Sequence, residues 1–257
     1  MSEATPKDGD DLAEGTLLSH LVEMRNRLFI MFGSVFAVFL VLFPFSKRIF
    51  EIVSKPLREV VPGGDMIATG TAEPAIAILK LSFYLSLIIA MPVVLYQVWA
   101  FVAPGLYKKE KRFAFPLLAS SIALFYAGIV FAYFVVFPLV FGFFVAFTPE
   151  SVNYMPNMSD YIGFVMMLVI VFGLAFETPV ATVLLIWTGL TSIEKLTSIR
   201  PYIFLGAFVV GMLLTPPDVI SQIILAIPVY LLFELGILMS RLFRPKPAEP
   251  EEEATVK

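Results

Sequence analysis

The sequence predicts an all-α integral membrane protein with six transmembrane helices, the fifth and sixth of them short. Three observations carry that expectation. The 257 residues are 59% hydrophobic and include 26 Phe, with a mean hydropathy of +0.88, whereas a soluble domain of this length is nearer half apolar. Two apolar runs, residues 81–102 and 113–137, meet at the short polar junction FVAPGLYKKEKR, residues 101–112, which has to be a tight turn on one membrane face. Lys and Arg are unevenly divided: with both termini inside, 13 of the 18 fall on the inner side and five on the outer, as orientation by positive charge requires.

Residues 1–15, MSEATPKDGDDLAEG, are acidic and polar and lack the basic start and apolar centre of a cleavable signal peptide, so a retained, disordered tail is expected. Thr16 is placed to cap a helix in which Leu17, Leu18, Leu21, Met24 and Leu28 recur at helical spacing, with Glu23 and Arg27 on another face. This amphipathic helix leads into the first span, residues 28–45, whose length gives a rise of roughly 27 Å. Residues 46–74 form a polar outer connection containing Pro56, Pro62, Gly63, Gly64 and Pro74. Its apolar positions, among them Ile52, Val53 and Leu57, suit one or two short interfacial helices.

Span two, residues 81–102, contains Pro92, which removes a backbone donor and predicts a kink. Lys80 at its outer end can reach the headgroups. Span three, residues 113–137, carries Tyr126 and Tyr133, and the second outer loop, residues 138–160, has no Lys or Arg. Span four, residues 161–187, holds Glu177 and Pro179 deep in an apolar run, and the inner loop 188–200 follows. The last two apolar segments, 202–214 and 219–233, are separated by Thr215, Pro216, Pro217 and Asp218. As helices they rise only roughly 20 and 23 Å against a hydrocarbon core of about 30 Å. They form either a re-entrant hairpin or, the preferred reading, two short spans that thin the bilayer, with residues 235–239 extending the last. One transmembrane domain, residues 16–240, therefore lies between disordered tails 1–15 and 241–257.

Several function classes are excluded. With no cysteine and one histidine, His20, the chain has no disulfide, no thiolate nucleophile and no Cys- or His-rich metal site. It has no G-x-x-x-x-G-K-[ST] motif for ATP, and an intramembrane protease would need a base or ligands that the spans lack. No catalytic activity, cofactor or metal is expected, and a net charge of −3 implies no nucleic-acid partner. What remains is a small set of carboxylates. Glu23 either pairs with Arg27 on the helix surface or binds a ligand. Glu110, in KKEKR, either relieves the repulsion of four cations or serves recognition. Glu177, roughly 15 Å into the hydrocarbon, has to face protein or water, or to bond backbone freed by Pro179. Asp218 reads as the N-cap of the last helix, and Glu234, near an inner helix end, can snorkel.

The blocks SHLVEMRNRL, MIATG, VVLYQVWAFVAPGLYKKEKR, FAYFVVFPLVFGFF, FETPVA and RPYIFLGAFVVGMLLTPPDVISQ, collinear from residue 17 to residue 241, resemble TatC, the multispanning receptor subunit of the bacterial twin-arginine protein translocase. The resemblance implies a cup-shaped fold of six helices in the bacterial cytoplasmic (inner) membrane, with both termini cytoplasmic. It implies work in a multimeric complex, by self-association and with the single-span partners TatA and TatB, exporting folded precursor proteins under the protonmotive force. It assigns recognition of the twin-arginine signal peptide to Glu23, Arg25, Phe101 and Glu110, a structural role to Pro56, an embedded carboxyl to Glu177, and partner docking to Met212, Thr215 and Gln222. The chemistry agrees, because two adjacent guanidinium groups call for carboxylates that meet them bidentately, a geometry lysine cannot supply. The competing class, a small-molecule secondary transporter, would also have broken helices and a mid-membrane Glu, but no internal repeat is visible. A purely structural scaffold would bind no signal peptide.

Overall fold

The computed structural model describes residues 8–60, 66–102, 114–149, 151–152, 154–214 and 219–242, with side chains from Leu21 on. The described residues are helical apart from turns and one isolated bridge, Ile67 to Asn157. Five helical stretches are long and apolar enough to cross a membrane, and Arg200–Leu213 is a shorter apolar sixth. The chain forms two compact units that divide between Leu174 and Ala175.

In the first unit, α1 (Asp8–Leu42) is one continuous helix of 35 residues. It starts within the segment expected as a tail, so Thr16 lies inside the helix rather than at its cap. Asp8, Asp10 and Asp11 stand at its N-terminal end, where the helix dipole favours negative charge, and Leu12, Ala13 and Glu14 are good helix formers. After a short 3₁₀ turn, Phe43–Phe45, the first outer connection forms a single amphipathic helix, α2 (Ser46–Val60). Val53, Ser54, Pro56 and Leu57 are buried, while Lys55, Arg58 and Glu59 are exposed, the spacing of one inward face.

Helix α3 (Glu73–Val102) runs 30 residues through Pro92 and packs along α1. A proline leaves the carbonyl four residues earlier without its helical donor. For Pro92 that carbonyl is Ile88, and the Tyr126 hydroxyl donates to it at 3.2 Å. For Pro56 it is Ile52, and the Tyr133 hydroxyl donates to it at 3.1 Å; Tyr161 donates to the adjacent Val53 carbonyl at 2.8 Å. At Ile88, inside the apolar span, no water substitutes for that donor. Tyr126→Phe is therefore expected to cost about 1–2 kcal/mol. In a Pro92→Ala background the restored N–H bonds Ile88 itself and most of that cost vanishes. Unfolding of the two single variants and the double variant in detergent measures this; equal penalties in both backgrounds would refute it.

Tyr126 belongs to α4 (Ala114–Phe131), and Tyr133 to a π-helical turn, Ala132–Val136, that leads into α5 (Phe137–Ala146). Residues 138–146, expected in the second outer loop, are thus helical. The expected boundary falls at Pro138, but after the wider π turn Pro138 sits in the first turn of α5, where a missing N–H costs little. Helix α6 (Met158–Ala175) meets α4 backbone to backbone. A Cβ at Gly128 would lie 2.5 Å from the Phe172 carbonyl oxygen, and one at Gly173 would lie 2.6 Å from the Phe125 ring, a small-residue crossing of the kind membrane helices use for close packing. Phe125, Phe137, Phe172, Ile162 and Leu168 are fully buried in this unit.

One carboxylate ties the segment before α3 to the first turn of α6. Glu73 Oε2 accepts from Thr69 N at 2.6 Å and Gly70 N at 3.0 Å, and Oε1 accepts from Ser159 N at 3.2 Å. Lys80 donates to Ser159 Oγ at 3.1 Å instead of reaching for headgroups, because a hydroxyl of the facing segment is within its span.

The second unit begins where span four breaks. Helix α6 ends at Ala175 and α7 covers Thr178–Trp187, since Pro179 cannot donate to the Ala175 carbonyl. After Gly189, the only described residue with positive φ, at +71°, Ser192 Oγ caps α8 (Ile193–Ser198) by accepting from Lys195 N. Helix α9 (Arg200–Leu214) has 15 residues, a rise of about 22 Å. Helix α10 (Val219–Leu242) continues past its apolar stretch to 24 residues, carrying Glu234 within it. Helices α7 and α10 touch at Gly236, where a Cβ would lie 2.9 Å from Pro179 Cα. Ile193, Leu196, Phe233 and Ile237 form this unit's core.

Candidate functional site

The sequence-predicted recognition residues start on α1. Glu23 is half-buried, and Oε1 of its carboxylate accepts from Arg27 Nε at 3.0 Å and Nη2 at 2.5 Å. The pairing is the surface alternative named above, but it does not stop at the helix surface. Arg27 Nη1 donates to Gln97 Oε1 at 3.2 Å and Nη2 to the Ala100 carbonyl at 3.2 Å. Helical spacing puts Glu23 and Arg27 one turn apart, and the α1–α3 packing carries the guanidinium to the last turns of α3.

Ala100 precedes Phe101, which is half-buried, so the structure brings Glu23 to the end of α3 from which the 101–112 segment departs. Arg25 is exposed and donates to Asn26 Oδ1 at 3.3 Å. Glu110 lies outside the described residues. Sequence reasoning missed Arg27 and Gln97 as part of this constellation, because nothing local marks a contact 70 residues apart; the one available signal was a lone Gln, Gln97, inside an apolar run.

Pro56 is buried in α2, where it creates the carbonyl that Tyr133 satisfies. Glu177 stands at the N-cap position of α7 in helical geometry, with no side-chain capping bond, and its Oε1 is buried. Met212 is exposed near the end of α9 and Gln222 is half-buried in the first turns of α10. The two helices pass closely there, since a Cβ at Gly211 would lie 3.4 Å from the Gln222 carbonyl. Thr215 and Asp218 lie outside the described residues; Asp218 immediately precedes the first residue of α10.

A second polar cluster was not anticipated. Arg200, at the start of α9, donates through Nη2 to Glu234 Oε2 at 2.6 Å, and Tyr230 OH donates to Glu234 Oε1 at 3.0 Å. The pair lets α10 pass Glu234 without a break, because both carboxylate oxygens have donors. Among the described residues no group of acidic or histidine side chains is arranged to hold a metal ion.

The fold agrees with known proteins. The family model described as Sec-independent protein translocase protein (TatC) matches residues 19–228. The Sec-independent protein translocase protein TatC of Azotobacter chroococcum mcd 1 is 52% identical over 242 residues, 94% of each chain, and that of Escherichia coli K12 is 53% identical over 237 residues, 92% of each. A crystal structure of the twin-arginine translocase receptor TatC is similar with a TM-score of 0.80 at 40% identity, covering 87% of this chain and 98% of that one. A multi-pass helical membrane protein with these relatives is a protein-translocase component, and the chain belongs to the TatC family of Sec-independent protein translocase proteins.

Proposed function

We propose that this chain is the receptor of a twin-arginine translocase: it binds the twin-arginine signal peptides of folded precursor proteins at the cytoplasmic face of the inner membrane. It then works with TatA- and TatB-type single-span partners in protonmotive-force-driven export. The single observation that carries this reading is the engagement of Glu23. Its carboxylate already holds a guanidinium at the end of α3, both described bonds fall on one oxygen, and the group remains 43% exposed. Glu110, in the segment that follows α3 in sequence, supplies the second carboxylate, its cationic neighbours repel unselected basic chains, and Arg25 and Phe101 complete the binding surface.

The test is the binding of a labelled twin-arginine peptide to the purified chain beside its twin-lysine counterpart. Lysine keeps the charge but loses the planar fork, so binding at least about tenfold weaker is expected. Equal affinity for both peptides would refute the reading, and uptake of a small solute by the purified chain would favour a transporter instead.

Glu177, Met212, Thr215 and Gln222 serve partner association in this proposal. A polar residue on a partner helix finds acceptors near the α9–α10 turn, where the short α9 thins the bilayer. Glu177→Gln is expected to leave signal-peptide affinity unchanged while altering co-purification with the single-span partners; unchanged assembly and export would remove Glu177 from the scheme.

A further inference from the structure

The pair Arg200 and Glu234 borders a groove of about 360 Å³ that peptide recognition does not use. Arg200 begins α9 and Arg241 stands in the last turn of α10. Along α10, Leu231, Leu235 and Leu238 line the same groove and end at Arg241. Their three- and four-residue spacing makes one stripe on the helix. The leucines are 58, 43 and 53% exposed, so the stripe is uncovered along its length.

Glu234 does not make the groove anionic. Its two oxygens are taken by Arg200 and Tyr230, which offsets one guanidinium and leaves Arg241, exposed, as the groove's excess cation. A small soluble anion would make no use of three leucines, and an apolar chain would make no use of two guanidinium groups. A molecule with a phosphate at one end and an acyl chain at the other uses both.

We propose that this groove is a binding site for an anionic glycerophospholipid, with the headgroup phosphate between Arg200 and Arg241 and an acyl chain along Leu238, Leu235 and Leu231. The proposal is independent of signal-peptide recognition. The site would hold one lipid against exchange beside the start of α9 and the last turns of α10.

The test uses the full chain in detergent, titrated with phosphatidylglycerol or phosphatidylcholine and read by native mass spectrometry. The chain is expected to retain phosphatidylglycerol in preference to phosphatidylcholine. Arg241→Gln, which leaves the Arg200–Glu234 pair intact, should weaken phosphatidylglycerol binding about fivefold, the worth of one cation at an anionic surface, without changing phosphatidylcholine binding. Lys55→Gln, an exposed cation on α2, should change neither. A preference that survives Arg241→Gln, one that falls equally in Lys55→Gln, or displacement of the lipid by inorganic phosphate at equal concentration would each overturn the proposal.

Discussion

Glu110→Gln is expected to weaken twin-arginine peptide binding by roughly 30- to 140-fold. Losing a charge-assisted, bidentate carboxylate contact costs about 2–3 kcal/mol, and each 1.4 kcal/mol is about tenfold in affinity. The substitution also leaves Lys108, Lys109, Lys111 and Arg112 with no carboxylate among them, so the segment repels a basic signal more strongly. The twin-lysine peptide, which never made the bidentate contact, should lose much less, about threefold or under. This cycle between receptor and peptide separates a specific pairing from general electrostatics. Equal losses for both peptides would mean that Glu110 merely tempers the local charge. Glu23→Gln should show the same peptide selectivity with a second effect, because Arg27 then loses its only charged partner among the described residues and keeps neutral acceptors alone.

Gly128→Ala is expected to be the most destabilising single methyl group in the first unit. The added Cβ would meet the Phe172 carbonyl oxygen at 2.5 Å and Gly173 Cα at 3.0 Å. Both are backbone atoms, which cannot swing aside as the end of a flexible side chain can, so α4 and α6 would have to separate. Overpacking of this kind costs about 1–3 kcal/mol, and the upper end is expected here. Gly142→Ala, in α5, is the control, since a Cβ there meets nothing within 4 Å; it should be neutral or slightly stabilising through helix propensity. Thermal unfolding of both variants in the same detergent decides the matter, and matched stabilities would show that the crossing can relax.

The number and order of the spans were legible because hydrophobic length is a one-dimensional property. The amphipathic outer connection and the shortness of α9 could also be read, whereas span four reads as one run over 161–187 and the structure breaks it between α6 and α7. Features that depend on pairs distant in sequence could not. Pro138 resembled a stop because only the π turn before it shows how the helix continues. Glu234 resembled the end of an apolar segment because its partner, Arg200, is 34 residues away. The start of α1 was displaced by Thr16, a good cap residue in a stretch whose acidic residues make the helix begin earlier. At the candidate site, Glu23 and Phe101 were identified separately, but the Arg27 link that brings them to one place was not. Nothing in the local pattern distinguishes an arginine that pairs within its own helix from one that also reaches a neighbour.

The tyrosine donors on the proline carbonyls also set limits on motion. A hydrogen bond inside a helix is indifferent to how that helix slides past its neighbours, whereas a bond made across helices fixes their relative height and rotation. Tyr126 and Tyr133 leave the same continuous segment and engage two different helices, so they act as two pins on one rod. Turning or translating α4 past α3 would strand the Ile88 carbonyl in hydrocarbon, and sliding the segment past α2 would break the Tyr133 bond to Ile52. Displacement of these three elements is therefore expected to be concerted, as a block, and slippage between them would have to begin by breaking both bonds.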